Sequence, residues 1–279
     1  MKIRIIVDST ADLTPEFKKS VHTVPLSVNF GDEEFIDGVT INHKTFYEKL
    51  VESDVLPTTS QASPDAFIKE FDKAKDAGDA AIVITLSSTF SGTYQSAVIA
   101  SAGYENIYVI DSATAAVGTG ILVELAFRLI DEGKCAEEIA GILEEEKKKI
   151  VIVALVDTLE YLKRGGRVSK TVAFAGTLLN IKPVLSVTNG KIEMLGKARG
   201  SKMGNNLLVQ EITKVGGINF DKPVLLSYSG LSDALLLKYI EDSRHIWGGN
   251  LKEVRYTALG SVIGTHVGPG AVVVAFFMN

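Results

Sequence analysis

The sequence predicts an α/β protein of two domains: a Rossmann-like, mostly parallel sheet over residues 1–149 and an α/β domain with a mixed sheet over residues 150–279. Three observations carry this. The first half repeats a strand–loop–helix order. The second half holds Asn189-Gly190 between two apolar runs, a hairpin signal that a purely parallel sheet does not use. A charge run, Glu144-Glu145-Glu146-Lys147-Lys148-Lys149, separates the two patterns. At 279 residues the chain accommodates two domains of about 100–200 residues each.

Residues 3–7 form a short apolar run ending in Asp8-Ser9-Thr10, as a buried parallel strand does. Thr14-Pro15-Glu16 reads as a helix cap, a proline at the first helical position and an acid in the first turn. Residues 24–30 are expected as a single strand, Asp37-Gly38 as a turn, and Asn42 as the cap of a helix running to about residue 51. Ser63-Pro64-Asp65 starts a helix that Gly78 ends. A strand over 81–86, a polar elbow, a helix to about 102, a strand over 107–110 and two helices to about 149 complete the first half. Glu144/Lys148 and Glu145/Lys149 have the i,i+4 spacing of helix ion pairs.

In the second half a strand is expected over 150–156 and helices near 159–163 and 170–179. The hairpin strands fall over 184–187 and 192–195. Two helices then alternate with strands over 224–228 and 254–257, and a strand over 272–277 closes the chain.

Composition narrows the function. Hydrophobic residues make up 46% and the mean hydropathy is +0.20, which suits a well-cored globular protein. A net charge of −5 leaves no broad cationic field for nucleic acid, so an anion site must be built locally. The single cysteine, Cys135, excludes an internal disulfide and a cysteine-based zinc site, and its helical surroundings predict a buried or half-buried thiol. No apolar run approaches the roughly 20 residues of a spanning helix, and the N-terminal run is too short for a signal sequence. A soluble, cytoplasmic protein is expected.

In open parallel sheets ligands sit beyond the carboxyl ends of the strands. The segments expected there are Ser9-Thr10, Thr58-Thr59-Ser60-Gln61, Ser87-Ser88-Thr89-Phe90-Ser91-Gly92-Thr93 and Asp111-Ser112-Ala113-Thr114, all rich in hydroxyls. Helix capping accounts for many of these residues taken singly, but one cap does not need the density of residues 87–93. Gly92 beside Ser91 lets backbone approach an anion at a helix start. Such loops serve phosphates, sugars and carboxylates alike. The second half adds Lys163-Arg164-Gly165-Gly166-Arg167, a basic turn from Lys197 to Lys202 containing Arg199, and His266 in what reads as a glycine-proline loop, Gly264 to Gly270.

Taken in order, Val7-Asp8-Ser9-Thr10-Ala11-Asp12, Thr59-Ser60-Gln61-Ala62-Ser63, Phe90-Ser91-Gly92-Thr93-Tyr94, Gly165-Gly166-Arg167-Val168-Ser169 and Gly264 to Gly270 resemble the DegV family of bacterial fatty-acid-binding proteins over essentially the whole chain. Ala62 stands where the family often has proline. The resemblance implies a long-chain, palmitate-like fatty acid between two domains, its tail buried in the second. Its carboxylate would be held by Thr59, Ser91, Arg167 and His266, with Ser9, Thr10, Ser60, Gly92, Thr93 and Arg199 in support.

It further implies a non-enzymatic carrier without metal or cofactor. The carrier presents the acid to a separate fatty acid kinase subunit that holds ATP and Mg, retains the acyl-phosphate, and feeds phospholipid synthesis. Burying about sixteen carbons at ~0.8 kcal/mol each gives on the order of 10 kcal/mol, of which association costs remove several. In that setting Arg167 would supply a permanent charge and His266 a proton-adjustable donor.

Two other readings remain open. One is the substrate-binding subunit of a small-molecule kinase resembling the dihydroxyacetone kinases, with His266 a covalent partner for a carbonyl. The other is a serine hydrolase built on Ser91, whose elbow lacks the glycine two residues before the serine.

Overall fold

The computed structural model describes residues 1–168 and 181–279. The helix expected over 170–179 lies outside the described residues. Two sheets form the frame. Strands β1 (Ile3–Asp8), β2 (His22–Val24), β6 (Ala80–Thr85) and β7 (Ile107–Asp111) make a parallel sheet in the order β2-β1-β6-β7. Strands β8 (Ile150–Leu155), β9 (Ile181–Thr188), β10 (Lys191–Arg199), β11 (Leu225–Tyr228), β12 (Tyr256–Ala258) and β13 (Val272–Phe277) make a mixed sheet in the order β10-β9-β8-β13-β11-β12. The first sheet therefore comes wholly from the first half of the sequence and the second wholly from the other half.

The layers follow from strand alternation. One face of the parallel sheet, with Ile6, Ala81 and Val83, packs on helices α2 (His43–Glu52), α3 (Pro64–Asp76) and α4 (Thr93–Ser101). The other face, with Ile5, Val7, Ile82 and Ile84, packs on α5 (Val117–Asp131) and α6 (Ala136–Glu146). Eleven of the fifteen residues of α5 are buried because the helix is also covered by the mixed sheet. Val151, Val153 and Leu155 on that sheet's far face pack with α8 (Gly200–Lys214) and α9 (Ala234–Asp242). The two sheets thus share one apolar cluster around α5. Among the described residues, no helix is long and apolar enough to cross a membrane.

Several local expectations are corrected. The strand expected over 24–30 is two strands in different sheets. Pro25 has no N–H to continue the ladder, so the chain leaves β2 and enters β3 (Ser27–Phe30). With β4 (Glu33–Ile36), for which no element is expected, and β5 (Thr58–Ser60), which is expected as loop, β3 forms a small antiparallel sheet. Cys135 is exposed, at the N-cap of α6, where its N–H donates to Glu138 Oε2 at 2.9 Å. The break that Gly133 makes after α5 takes residue 135 off the buried face. The Glu-Lys run pairs at i,i+3, because residues 147–149 tighten into a 3-10 turn.

His266 does not sit in a loop. It lies in the last turn of α11 (Ser261–Val267), which ends at Gly268 with φ +72°. The Asn189-Gly190 turn has φ of +50° and +71°, as a type I′ hairpin requires, and joins β9 to β10. Its tip is fastened to the first half: Gly190 N–H donates to Ala113 O and Thr89 Oγ1 donates to Gly190 O, each at 2.6 Å.

Candidate functional site

Between the two sheets lies a cavity of about 430 Å³, within the usual range for a small-molecule site of roughly 300–1,000 Å³. Its floor is the near face of the mixed sheet. Ile152, Ala154 and Val156 point to one side of the chain at and just beyond β8, because alternate residues share a face. Cross-strand pairing sets Val187 beside Ile152 and both Leu185 and Val273 beside Ala154. Ala154 is the smallest member of that row, so the floor dips there. Leu26, Leu86, Ala115 and Ala116 of the first half form the opposing wall.

The polar lining residues are Thr59, Ser60, Gln61, Ser91, Arg167 and His266. Thr59 and Ser60 are on β5, so the short strand decides where their hydroxyls go. Thr59 Oγ1 stands 2.9 Å from His266 Nε2. Ser91 lies just before α4, where its Oγ shares a 2.9 Å hydrogen bond with Thr93 Oγ1 and accepts the Thr93 N–H at 3.3 Å. Gly92 is the cap residue of α4 and lines the cavity, and the Gln61 amide packs into the space its side chain would take. Arg167 is half-buried, and its Nε and Nη1 donate to Phe90 O at 3.1 Å and to Gly165 O at 2.5 Å. The basic group is therefore tied to both halves.

Burial pushes the His266 imidazole down to about 4, with Arg167 adding in the same direction. His266 is thus neutral near pH 7, and the expected proton-adjustable donor is corrected to a fixed neutral one. Its Nδ1 is buried with no partner among the described residues and faces Gly165. The tautomer with the proton on Nε2 leaves only a lone pair unpaired and donates to Thr59 Oγ1. That arrangement frees the Thr59 hydroxyl hydrogen to point elsewhere. A mouth of two hydroxyls, a neutral imidazole and a guanidinium on an apolar cavity is suited to an amphipathic anion.

The other residues singled out from sequence stand elsewhere. Ser9 and Thr10 do not line the cavity; Ser9 Oγ accepts the Leu26 N–H at 3.1 Å, and Thr10 is bonded to Asp8. Asp8 Oδ2 also accepts the Leu86 N–H at 2.7 Å, so this motif ties two strand ends together. Thr93 is buried behind Ser91. Arg199 is exposed at the end of β10 and is not part of the lining. Gln61, expected in the same segment as Thr59 and Ser60 but given no head-group contact, also lines the cavity. Among the described residues, no cluster of three or more His, Cys, Asp or Glu side chains could hold a metal ion.

Comparison with known proteins decides the family. The sequence profile of the DegV family, described as uncharacterised proteins, matches residues 2–279. The chain belongs to the DegV family.

A curated DegV domain-containing protein from Caldanaerobacter subterraneus subsp. tengcongensis is 36% identical over 281 residues, covering 99% of this chain and 98% of that one. The structure also resembles that of a fatty-acid-binding DegV family protein from Thermus thermophilus, with a TM-score of 0.89, 32% identity and full coverage of both chains. A stearic-acid-binding protein from Eubacterium ventriosum superposes with a TM-score of 0.86 at 27% identity, covering 99% and 98%. The α/β fold of this chain, with its parallel four-stranded sheet and separate mixed six-stranded sheet, matches that of the Thermus thermophilus DegV structure.

Ser91 has no base upon it among the described residues: its hydroxyl bonds to Thr93, and His266 bonds to Thr59 instead. The hydrolase reading therefore lacks its second member.

Proposed function

We propose that this chain binds a long-chain fatty acid between its two halves and presents the carboxylate to a separate ATP-dependent kinase subunit, holding the acyl-phosphate that forms. The observation that carries the reading is one continuous cavity, apolar over the β8, β9 and β13 side chains and polar at Thr59, Ser91, Arg167 and His266. Structural neighbours described as binding fatty acids, stearic acid among them, support it.

In this reading the tail lies over the dip at Ala154. The carboxylate accepts from the Thr59 hydroxyl, itself held by His266, and from Ser91. Buried at that position, the carboxylate stays ionised because charge-assisted bonds replace its water, each contributing roughly 1.5–3 kcal/mol. One carboxylate oxygen then attacks the γ-phosphorus of the partner's ATP and ADP leaves. Arg167 offsets the added charge. Ser9, Thr10 and Thr93 support the head-group loops from behind, and residues 1–149 and 150–279 act as the two lobes. An apolar cavity gives a small hydroxyketone little to bind, so the dihydroxyacetone-type alternative is not favoured.

Organic extraction of the purified protein followed by lipid mass spectrometry tests the binding. About one fatty acid per chain is expected; recovery of none, together with no uptake of added palmitate, overturns the reading. For the carrier step, loaded protein with kinase subunit and ATP is expected to yield a hydroxylamine-trappable acyl-phosphate.

A further inference from the structure

The Val7–Asp12 motif does not reach the cavity, yet it carries two buried carboxylates, and Asp37 is buried close by. Asp8 is accounted for by Leu86 and Thr10. Asp12 and Asp37 reach across to the second half. Asp12 Oδ1 accepts the N–H of Gly260 at 2.8 Å, and Asp37 Oδ1 accepts the hydroxyl of Ser261. These are the cap and the first residue of α11, the helix whose last turn carries His266.

That helix cannot hold itself in place. It has seven residues, and isolated helices of such length do not persist in water. Its cap residue is a glycine, so no side chain of its own satisfies the first turn. Gly264 within it is forced by the approach of Phe46 and Tyr47, each 2.6 Å from where a Cβ would stand. Such a glycine weakens a helix by about 1 kcal/mol. Meanwhile the carboxylates are costly where they are. Burial raises both Asp12 and Asp37, and Asp12 Oδ2 has no partner among the described residues. Asp37 also takes a bond from Ser9, but both acids reach the start of the same short helix, and a pair kept in such a setting has a task there.

We propose that Asp12 and Asp37 are positioning residues for the head-group site: they cap α11 from the first half of the chain and thereby set where His266 meets Thr59. At about 1.5 Å per residue, Ser261 and His266 lie roughly 8 Å apart along the helix, so a slip or rotation at the capped end reaches the imidazole directly. Thr59 and both acids belong to the first half and His266 to the second. The cap therefore fixes a contact that joins the two sides of the mouth, beside the one that Arg167 makes with Phe90 O. This role rests on the head-group reading above, but it concerns the protein before ligand enters.

Imidazole nitrogen NMR of the unliganded full chain tests it, since the sequence has four histidines and His266 is assigned with His266→Gln. In the wild type, His266 is expected as one neutral tautomer titrating at about 4. Asp12→Ala and Asp37→Ala are expected to average the tautomers and move the midpoint up toward 6.5, the ordinary value. Asp37→Asn, which keeps an acceptor oxygen, is expected to stay near wild type. Glu124→Ala removes another buried carboxylate, one that pairs with Arg255 across the same two halves, and is expected to lower thermal stability while leaving His266 unmoved.

Unchanged tautomer and midpoint in the folded alanine variants overturn the proposal, as does an equal shift in Glu124→Ala. Should the alanine variants not fold, Ser261→Ala reads the same contact: a shifted His266 supports the role and an unshifted one overturns it. Because no lipid is present, absence of extracted fatty acid would sink the proposed function without touching this result.

Discussion

The imidazole of His266 fills the space that a side chain at Gly165 would need: a Cβ built there collides with Nδ1. Gly165 has φ −66° and ψ −14°, so its backbone is ordinary and the glycine is required by the neighbour instead. Gly165→Ala is therefore expected to displace His266 from Thr59 and to weaken palmitate binding by about tenfold or more, equivalent to ~1.4 kcal/mol. Alanine at such a backbone position otherwise stabilises by about 0.4–1 kcal/mol. Calorimetric titration with palmitate checks it; undiminished affinity would remove the imidazole from the head-group account.

Removing the hydroxyls should separate binding from presentation. Thr59→Ala and Ser91→Ala each delete one charge-assisted bond of roughly 1.5–3 kcal/mol, and affinity should fall by about 10- to 100-fold apiece. The tail still binds, so phosphorylation at saturating lipid is expected to fall further than affinity does in the double alanine variant. Equal turnover by that variant at saturation would refute the role given to these two residues.

Stability should carry the signature of a buried neutral imidazole. Its folded value of about 4 lies below the ordinary 6.5, so between those limits the unfolded chain binds more protons. Stability from this group is complete above pH 6.5 and declines as pH falls toward 4. The full decline is roughly 3 kcal/mol. Urea unfolding of wild type and His266→Gln at pH 7 and pH 4 isolates the difference. A drop of the same size in both proteins would show that His266 titrates normally.

Tail preference should follow the floor of the cavity. Ala154→Ile puts three further carbons into the dip between Leu185 and Val273 while suiting a strand. Long acids are expected to lose at least tenfold in affinity, and acids of about ten carbons much less. Parallel loss at both lengths would mean that the tail does not cross Ala154.

The layers of this molecule were legible because periodicity is local. The buried runs that became β1, β6, β8 and β13 were each visible as short apolar stretches, and Asn189-Gly190 announced its hairpin from two residues. Of the small sheet only β3 was visible, as part of the strand expected over 24–30. Thr58–Ser60 is three residues long, too short to show alternation, and its hydroxyls read as loop. Likewise α11 contains a glycine and precedes Gly268-Pro269-Gly270, so residue composition argued for a loop while packing against Phe46 and Tyr47 made a helix.

The hydroxyl and basic motifs could be collected from the sequence, but their roles divided only in three dimensions. Ser9 and Thr10 are ties within the scaffold, Arg199 stands apart on the surface, and Gln61, expected only as part of its segment, lines the mouth. No spacing rule foretells such outcomes, because partners such as Thr59 and His266 are 207 positions apart.

Sequence by itself determined the α/β class, the order of the longer strands and helices, and the chemical inventory of hydroxyls and cations, since each depends on neighbours within about a dozen residues. Tertiary structure alone decided that α5 serves both sheets, that alternate residues of β8 and β9 face an unfilled space, and that His266 is neutral. Those properties come from burial and from contacts between distant segments. They exist only once the chain has closed on itself.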